Sequence, residues 1–146
     1  MLEKTNGGFL VSQLKQIQGR VFEKLLNDAN IKEFNGAQGR ILYVLWQTDS
    51  VPIIELSKKT GLAKTTLTAM LDRMEEAGLI NRNFDKTDRR QIRITLTKKA
   101  RELNDKYSEV SRKMNEIFYQ GFSDSEIEQF ENYLYRIINN LNESEW

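Results

Sequence analysis

Three cationic side chains lie within five residues near the middle of the chain: Lys86, Arg89 and Arg90. Asp88 stands among them and is placed to brace one of them. Cations gathered on a polar loop suit phosphate binding, and an arginine at such a tip can enter the narrow, electronegative minor groove of DNA. The alternative is a charged turn that only keeps the surface soluble. The structural elements that precede this loop in the chain decide between the two interpretations.

A second group of candidate contacts lies on a predicted helix from about Lys64 to Ala77. Its inner face carries apolar residues at helical spacing: Leu67, Met70, Leu71 and Met74. The outer face presents short side chains and two cations, namely Lys64, Thr65, Thr66, Thr68, Ala69 and Arg73. Free N–H groups at the start of a helix attract phosphate, so this face suits docking into a DNA groove. Taken alone, however, the pattern is more typical of a plain solvated face.

Charge is distributed unevenly along the chain, although the net charge is only +1. Residues 51–100 contain 11 Lys and Arg against 6 Asp and Glu, whereas residues 101–146 contain 5 against 10. The basic middle of the chain is therefore where an anionic partner would bind.

The chain contains neither cysteine nor histidine. This composition removes disulfides, thiolate nucleophiles, Ser-His and Cys-His pairs and the usual zinc ligands. The carboxylates fall on charged helix faces without a recognisable pairing, so we expect no enzyme, no catalytic residue, no metal site and no cofactor. The longest apolar run is far shorter than the roughly 18 residues needed to span a bilayer, and no secretory signal is visible, so we expect a cytoplasmic protein.

The elements that position these residues are predicted to be mainly helical. Apolar spacing predicts helices from Leu10 to near Asn27 or Asn30, from Asn35 to about Thr48, and over residues 53–60 and 64–77, the last two closed by Gly61 and Gly78. Alternating apolar residues predict strands around 80–84 and 92–96. A long helix capped by Thr97 and ended by Gly121 follows, and a Ser123–Glu126 capping box begins the last helix.

The order helix, glycine turn, helix, then basic hairpin is that of a winged helix-turn-helix. The fold class is therefore predicted as mainly α with a small β-hairpin. We predict a single chain over 1–146 with a DNA-binding lobe at 32–100. The apolar stripes of segments 1–31 and 101–146 lie outside this lobe and need something to bury them, so we predict that these segments form dimerisation helices.

Several stretches of the chain together resemble the MarR family of regulators. They are Ile54-Glu55-Leu56-Ser57-Lys58-Lys59-Thr60-Gly61-Leu62, Lys64-Thr65-Thr66-Leu67-Thr68, Leu71-Asp72-Arg73-Met74-Glu75, Gly78-Leu79-Ile80, Asp88-Arg89-Arg90 and Leu96-Thr97. The similarity covers most of the chain, and its specific motifs lie between Ile54 and Thr97. It implies a homodimeric repressor with two lobes in successive major grooves and a pseudo-palindromic operator whose half-sites lie about 10 base pairs apart.

The resemblance also implies release from DNA when a small aromatic or acidic effector binds between the lobe and the dimerisation helices. Phe9, Tyr43 and Trp46 are the candidate effector-binding residues, although aromatic residues at helical spacing are more often part of a core. Without cysteine, the oxidant sensing of some relatives is excluded here, and without histidine we do not expect zinc sensing.

Two positions depart from the family pattern. Ala63 stands where a capping serine is common, and losing that cap costs about 1 kcal/mol. Ala69 stands where many relatives carry a long polar side chain, so base preference cannot be carried over from them.

The alternative function from another class is a winged-helix adaptor that binds an acidic protein surface without specific DNA binding.

Overall fold

The computed structural model describes residues 3–144. Its internal contacts divide the chain into two compact units, one up to Arg112 and the other from Lys113 onward. Among the described residues, no helix is both long enough and apolar enough to cross a membrane.

The first unit contains most of the helices. They are α1 (Gly7–Asp28), α2 (Gly36–Gln47), α3 (Ile53–Thr60), α4 (Lys64–Glu76), α5 (Lys98–Glu102) and the first part of α6 (Asn104–Phe118). Local signals set their ends: Asn35 caps α2 in a reciprocal capping box with Gln38. Gly61 ends α3 with φ +74°, a left-handed conformation that glycine adopts without steric cost. The first four helices lie where the sequence predicts them.

A three-stranded antiparallel sheet completes this unit. Its strands are β1 (Val51–Pro52), β2 (Ile80–Phe84) and β3 (Ile92–Leu96), in the order β1-β3-β2. The β2–β3 hairpin confirms the two predicted strands, with Ile80 opposite Leu96 and Phe84 opposite Ile92. The edge strand β1 was not predicted, because two residues carry no alternation and one of them is proline. Proline is tolerated at a sheet edge, where its missing N–H leaves no inner ladder bond unmade.

The core of the lobe lies between α2, α3, α4 and the sheet. Leu67, Leu71 and Met74, from the predicted inner face of α4, are fully buried together with Leu42 and Ile94. Leu56 of α3 and Val51 of β1 complete the same cluster. This apolar burial holds α4 against the hairpin and thereby fixes its opposite face outward.

The sequence predicted one helix from Thr97 to Gly121, and this prediction is wrong at Leu103. Helix α5 ends at Glu102 and α6 begins at Asn104. The amide of Leu103 donates to the carbonyl of Ala100, three residues back, at 3.1 Å, so the turn tightens locally there. Because Leu103 is itself buried and apolar, the helical periodicity continues across the break and hides it.

The second unit consists of the end of α6 and α7 (Asp124–Ser144). The predicted capping box is confirmed: the Ser123 amide donates to Glu126 Oε1 at 2.9 Å, and the Glu126 amide donates to Ser123 Oγ at 3.2 Å. Phe118, Tyr119 and Phe130 pack their rings together within this unit. These contacts hold the two helix segments side by side.

Candidate nucleic-acid interface

The outer face of α4 carries the first group of predicted contacts. Lys64, Thr65, Thr66, Ala69 and Arg73 are all exposed. Thr68 is half-buried, and its hydroxyl donates to the carbonyl of Lys64 at 2.8 Å. At the N-cap, Ala63 has extended backbone (φ −62°, ψ 147°) but no side chain that can accept from the first amides of the helix. These amides are therefore available to an outside acceptor.

The far end of α4 carries carboxylates that would repel DNA if they were unpaired. Arg82 of β2 neutralises two of them, because its Nη2 lies 2.5 Å from Asp72 Oδ1 and 3.0 Å from Glu75 Oε1. These two hydrogen bonds raise the pKa of Arg82. Arg82 is not among the predicted site residues, although its alternation with Ile80 places it on the inward side of the strand.

The hairpin tip carries the second group. Lys86, Arg89 and Arg90 are exposed, which both a nucleic-acid contact and a solvated turn would require. Asp88 braces Arg90, accepting from its backbone amide at 3.0 Å and from its Nε at 3.1 Å. The Arg90 side chain nevertheless remains 90% exposed. Its guanidinium is thus oriented by the loop while it stays open to a ligand.

Asp85, at the start of the tip, is a buried carboxylate that the sequence analysis missed. Its Oδ1 accepts from the Thr87 amide at 2.8 Å and from the Thr87 hydroxyl at 2.7 Å, and its Oδ2 accepts from Arg93 Nε at 2.6 Å. These hydrogen bonds, that of Arg93 above all, hold the pKa of Asp85 well below its usual range. The tip is therefore closed around an ionised carboxylate.

Arg93 continues this network away from the tip. Its Nη1 donates to the carbonyl of Ser50 at 2.6 Å, across 43 residues of sequence. Ser50 has φ +61°, and Asp49 beside it accepts from the Leu96 amide of β3 at 2.9 Å. The turn between α2 and β1 is thus tied to the base of the hairpin. We call Asp85, Arg93 and Ser50 together the wing clamp.

Of the three residues predicted to bind an effector, Tyr43 and Trp46 lie together and Phe9 does not join them. Trp46 belongs to an aromatic cluster in which its ring lies 5.0 Å from that of Tyr107, and its Nε1 donates to the Ala100 carbonyl at 3.0 Å. Tyr43 joins the same cluster at 6.1 Å from Tyr107 and is half-exposed. Phe9 lies near the start of α1, is 71% exposed and is not part of this cluster.

A cavity of about 580 Å³ lies between α1 and the start of α2. Phe22, whose ring lies 5.9 Å from that of Tyr107, connects this cavity to the aromatic cluster. Its wall also carries the cations Lys15, Arg20, Lys24 and Arg40. The cavity was not predicted from the sequence, because its lining residues come from two separate helices.

The lobe therefore has the architecture of a winged helix-turn-helix: α3 and α4 form the helix pair, and the β2–β3 hairpin forms the wing. The model described as the MarR family matches residues 34–92, which run from the core residue Phe34 to the start of β3. The HTH-type transcriptional regulator TtmR of Methylorubrum extorquens is 35% identical over 88 residues, which are 60% of this chain and 44% of that protein. The chain thus spans less than half the length of this relative.

Solved structures share the fold. A mutant of E. coli MarR in complex with operator DNA superposes with a TM-score of 0.77 at 21% identity, covering 89% of this chain and 91% of that one. NadR in complex with 4-hydroxyphenylacetate superposes with a TM-score of 0.78 at 20% identity, covering 94% and 96%. These likenesses show that the chain has the fold of those structures, and its residues 34–92 are similar to the MarR family model.

Proposed function

We propose that this protein is a homodimeric transcriptional repressor that binds a pseudo-palindromic operator and is released from it by a small-molecule effector. The observation that carries the proposal is that two separate elements of one lobe, the start of α4 and the wing tip, expose cations and free hydrogen-bond donors. The operator DNA held by the E. coli MarR mutant is consistent with this use of the fold.

In the proposed complex, α4 enters the major groove and the wing follows the backbone into the adjacent minor groove. Lys64 and the uncapped amides of α4 bind phosphate, while Thr65, Thr66 and Ala69 face base edges. Arg73 lies further along the same face, and Thr68 contributes through its methyl group because its hydroxyl is already bound. Lys86, Arg89 and Arg90 bind phosphates or the minor groove.

Dimerisation is proposed from the apolar side chains that the terminal helices expose. Helix α1 exposes Phe9, Leu10, Val11, Leu14 and Ile17, and α7 exposes Tyr133, Tyr135, Ile137, Ile138 and Leu141. Apolar faces of this extent on single helices are typical of surfaces that a partner covers. Sedimentation of the purified protein tests this point: we expect a dimer at micromolar concentration, and a monomer at all concentrations would contradict it.

We infer that an acidic aromatic effector binds in the α1–α2 cavity, because four cations and one carboxylate, Glu23, line it and Phe22 links it to the Trp46–Tyr107 cluster. 4-Hydroxyphenylacetate, the ligand of NadR, is a suitable probe. We expect it to raise the thermal unfolding midpoint of the protein and to weaken DNA binding. The Arg40→Ala variant should lose both effects, and full retention of both would remove the cavity from the proposal.

The alternative is a winged-helix adaptor whose basic face binds an acidic protein. A gel-shift assay with duplex DNA from upstream of the protein's own gene separates the two functions. The repressor gives a saturable shift below micromolar protein that unrelated DNA at equal concentration does not abolish. An adaptor gives no saturable shift, or one that any DNA removes.

A further inference from the structure

The wing carries apolar side chains where a solvated hairpin would have polar ones. Phe84, the last residue of β2, is 71% exposed, and Ile92, directly opposite on β3, is 36% exposed. Ile54 of α3 is 60% exposed and lines the same small cleft as Ile92. We call these three residues the wing apolar patch.

The strand register fixes the direction of this patch. Side chains alternate between the faces of a strand, so Phe84 shares a face with Arg82 and Ile80. Arg82 reaches Asp72 and Glu75 of α4 from that face. This face of the hairpin is therefore directed toward α4. Phe84 lies at the end of the same face, beyond the buried core. The patch consequently lies between the two groups of predicted DNA contacts.

The surroundings of the patch identify its partner. Lys64 and Arg90 share the wall of the cleft with Ile54 and Ile92, so the apolar side chains are flanked by cations on both elements. A stable protein interface needs about 20–30 residues on each side, far more than these three. A partner that fits both the flanking cations and the small apolar patch is a polyanion that also offers apolar surface. Duplex DNA meets this description through its phosphates, sugars and thymine methyl groups.

We infer that the wing apolar patch packs against the deoxyribose edge of the operator strand that separates the major groove from the minor groove. This inference rests on the proposed function and adds an apolar, salt-independent contact to it. Phe84 covers the sugar edge while Arg90 and Lys64 hold the flanking phosphates. The patch also excludes water from these ion pairs and so strengthens them.

The test compares Phe84→Ala with Arg90→Ala and Asn83→Ala by measuring the dissociation constant for operator DNA over a range of salt concentrations. Each phosphate contact contributes about 0.9 to the log–log slope, whereas an apolar contact contributes nothing. Phe84→Ala should therefore weaken binding about tenfold at every salt concentration without changing the slope. Asn83 projects from the opposite face of β2, where its amide donates to Thr95, and its variant should bind like the wild type.

Phe84→Lys keeps the inference falsifiable. If only charge mattered at position 84, the added cation would tighten DNA binding and steepen the log–log salt slope. The inference also predicts a steeper salt slope, but with DNA binding weaker than that of the wild type. Unchanged affinity of Phe84→Ala, or a gain in affinity with Phe84→Lys, would overturn it. A change in sedimentation of Phe84→Ala from dimer to monomer would assign the patch to protein contact and overturn it as well. If the wild-type protein shows no saturable binding to operator DNA, the failure lies with the proposed function itself.

Discussion

The start of α4 and the tip of the wing carry the same kinds of side chain but are held in opposite ways. At the wing, Arg93 and three donors from the loop surround Asp85, and Asp88 orients Arg90. At the start of α4, the side chain of Ala63 accepts no hydrogen bond from the first helix amides, and Lys64 and Thr65 are exposed. The loop of the wing is therefore held by its own side chains, whereas the first amides of α4 have no side-chain acceptor and are left to water or to a ligand.

We propose separate tasks for the two elements. Because Asp88 holds the Arg90 side chain, we expect the wing to supply affinity and orientation with a reduced loss of conformational entropy. We expect the exposed side chains at the start of α4 to supply sequence preference. Variants of each region should accordingly produce different signatures, and the following predictions are ordered by the size of the effect.

The largest effect is expected from breaking the wing clamp with Arg93→Ala. The bonds to Asp85 and to the Ser50 carbonyl are lost, so we expect the loop backbone that carries Lys86, Arg89 and Arg90 to lose its fixed geometry. Fixing the backbone of one residue costs roughly 1–2 kcal/mol, so re-ordering one or two loop residues on binding should raise the dissociation constant for operator DNA about 30-fold. The salt slope should stay the same, because the phosphate contacts are still made.

Arg101→Ala is the matched control for this variant. Arg101 also donates to a backbone carbonyl, that of Leu96 at 3.0 Å, but at the end of β3 away from the tip. Its variant should bind DNA within about threefold of wild type. Equal losses in the two variants would show that a general destabilisation of the hairpin, and not the clamp, governs affinity.

A smaller effect with a different signature is expected from Arg90→Ala, measured by salt titration of DNA binding. Removing one phosphate contact from each subunit of a dimer should make the slope less steep by about 1.8. Affinity should fall about tenfold at low salt and less at high salt. An unchanged slope would mean that Arg90 does not contact phosphate and would remove it from the interface.

At the start of α4, Ala63→Ser should change stability by the addition of a cap. The extended backbone of Ala63 suits a capping serine, whose oxygen can accept from the amide of Thr66. The free energy of unfolding in urea should rise by about 1 kcal/mol. Ala63→Val, which adds no acceptor and is as poor an N-cap residue as alanine, serves as the control and should show no such gain.

The smallest effect on total affinity is expected from Thr65→Ala. Selection of binding sites from a randomised DNA pool should show a relaxed preference at one position of each half-site, while the dissociation constant for the best site changes only a few-fold. An unaltered preference would contradict the assignment of sequence reading to the start of α4.

The sequence alone indicated most of the fold, because the signals that set it are local. Asn35, Gly61 and the alternation in β2 and β3 each act within a few residues. The wing clamp was missed because Arg93 meets Ser50 across 43 residues and Asp85 lies within an unremarkable polar turn. Arg82 was missed for a related reason: its two acidic partners lie on another element. Long-range contacts of single polar side chains leave no periodicity in the sequence.

The most direct test of the account is a salt titration of the wild-type protein with its operator, beginning with DNA from upstream of its own gene. With about four phosphates neutralised by each subunit, we expect saturable binding whose log–log slope is roughly −7. Competitor DNA of unrelated sequence should bind at least a thousandfold more weakly. The absence of saturable binding at micromolar protein, or a slope near zero, would contradict the claim that this winged helix is a DNA-binding regulator.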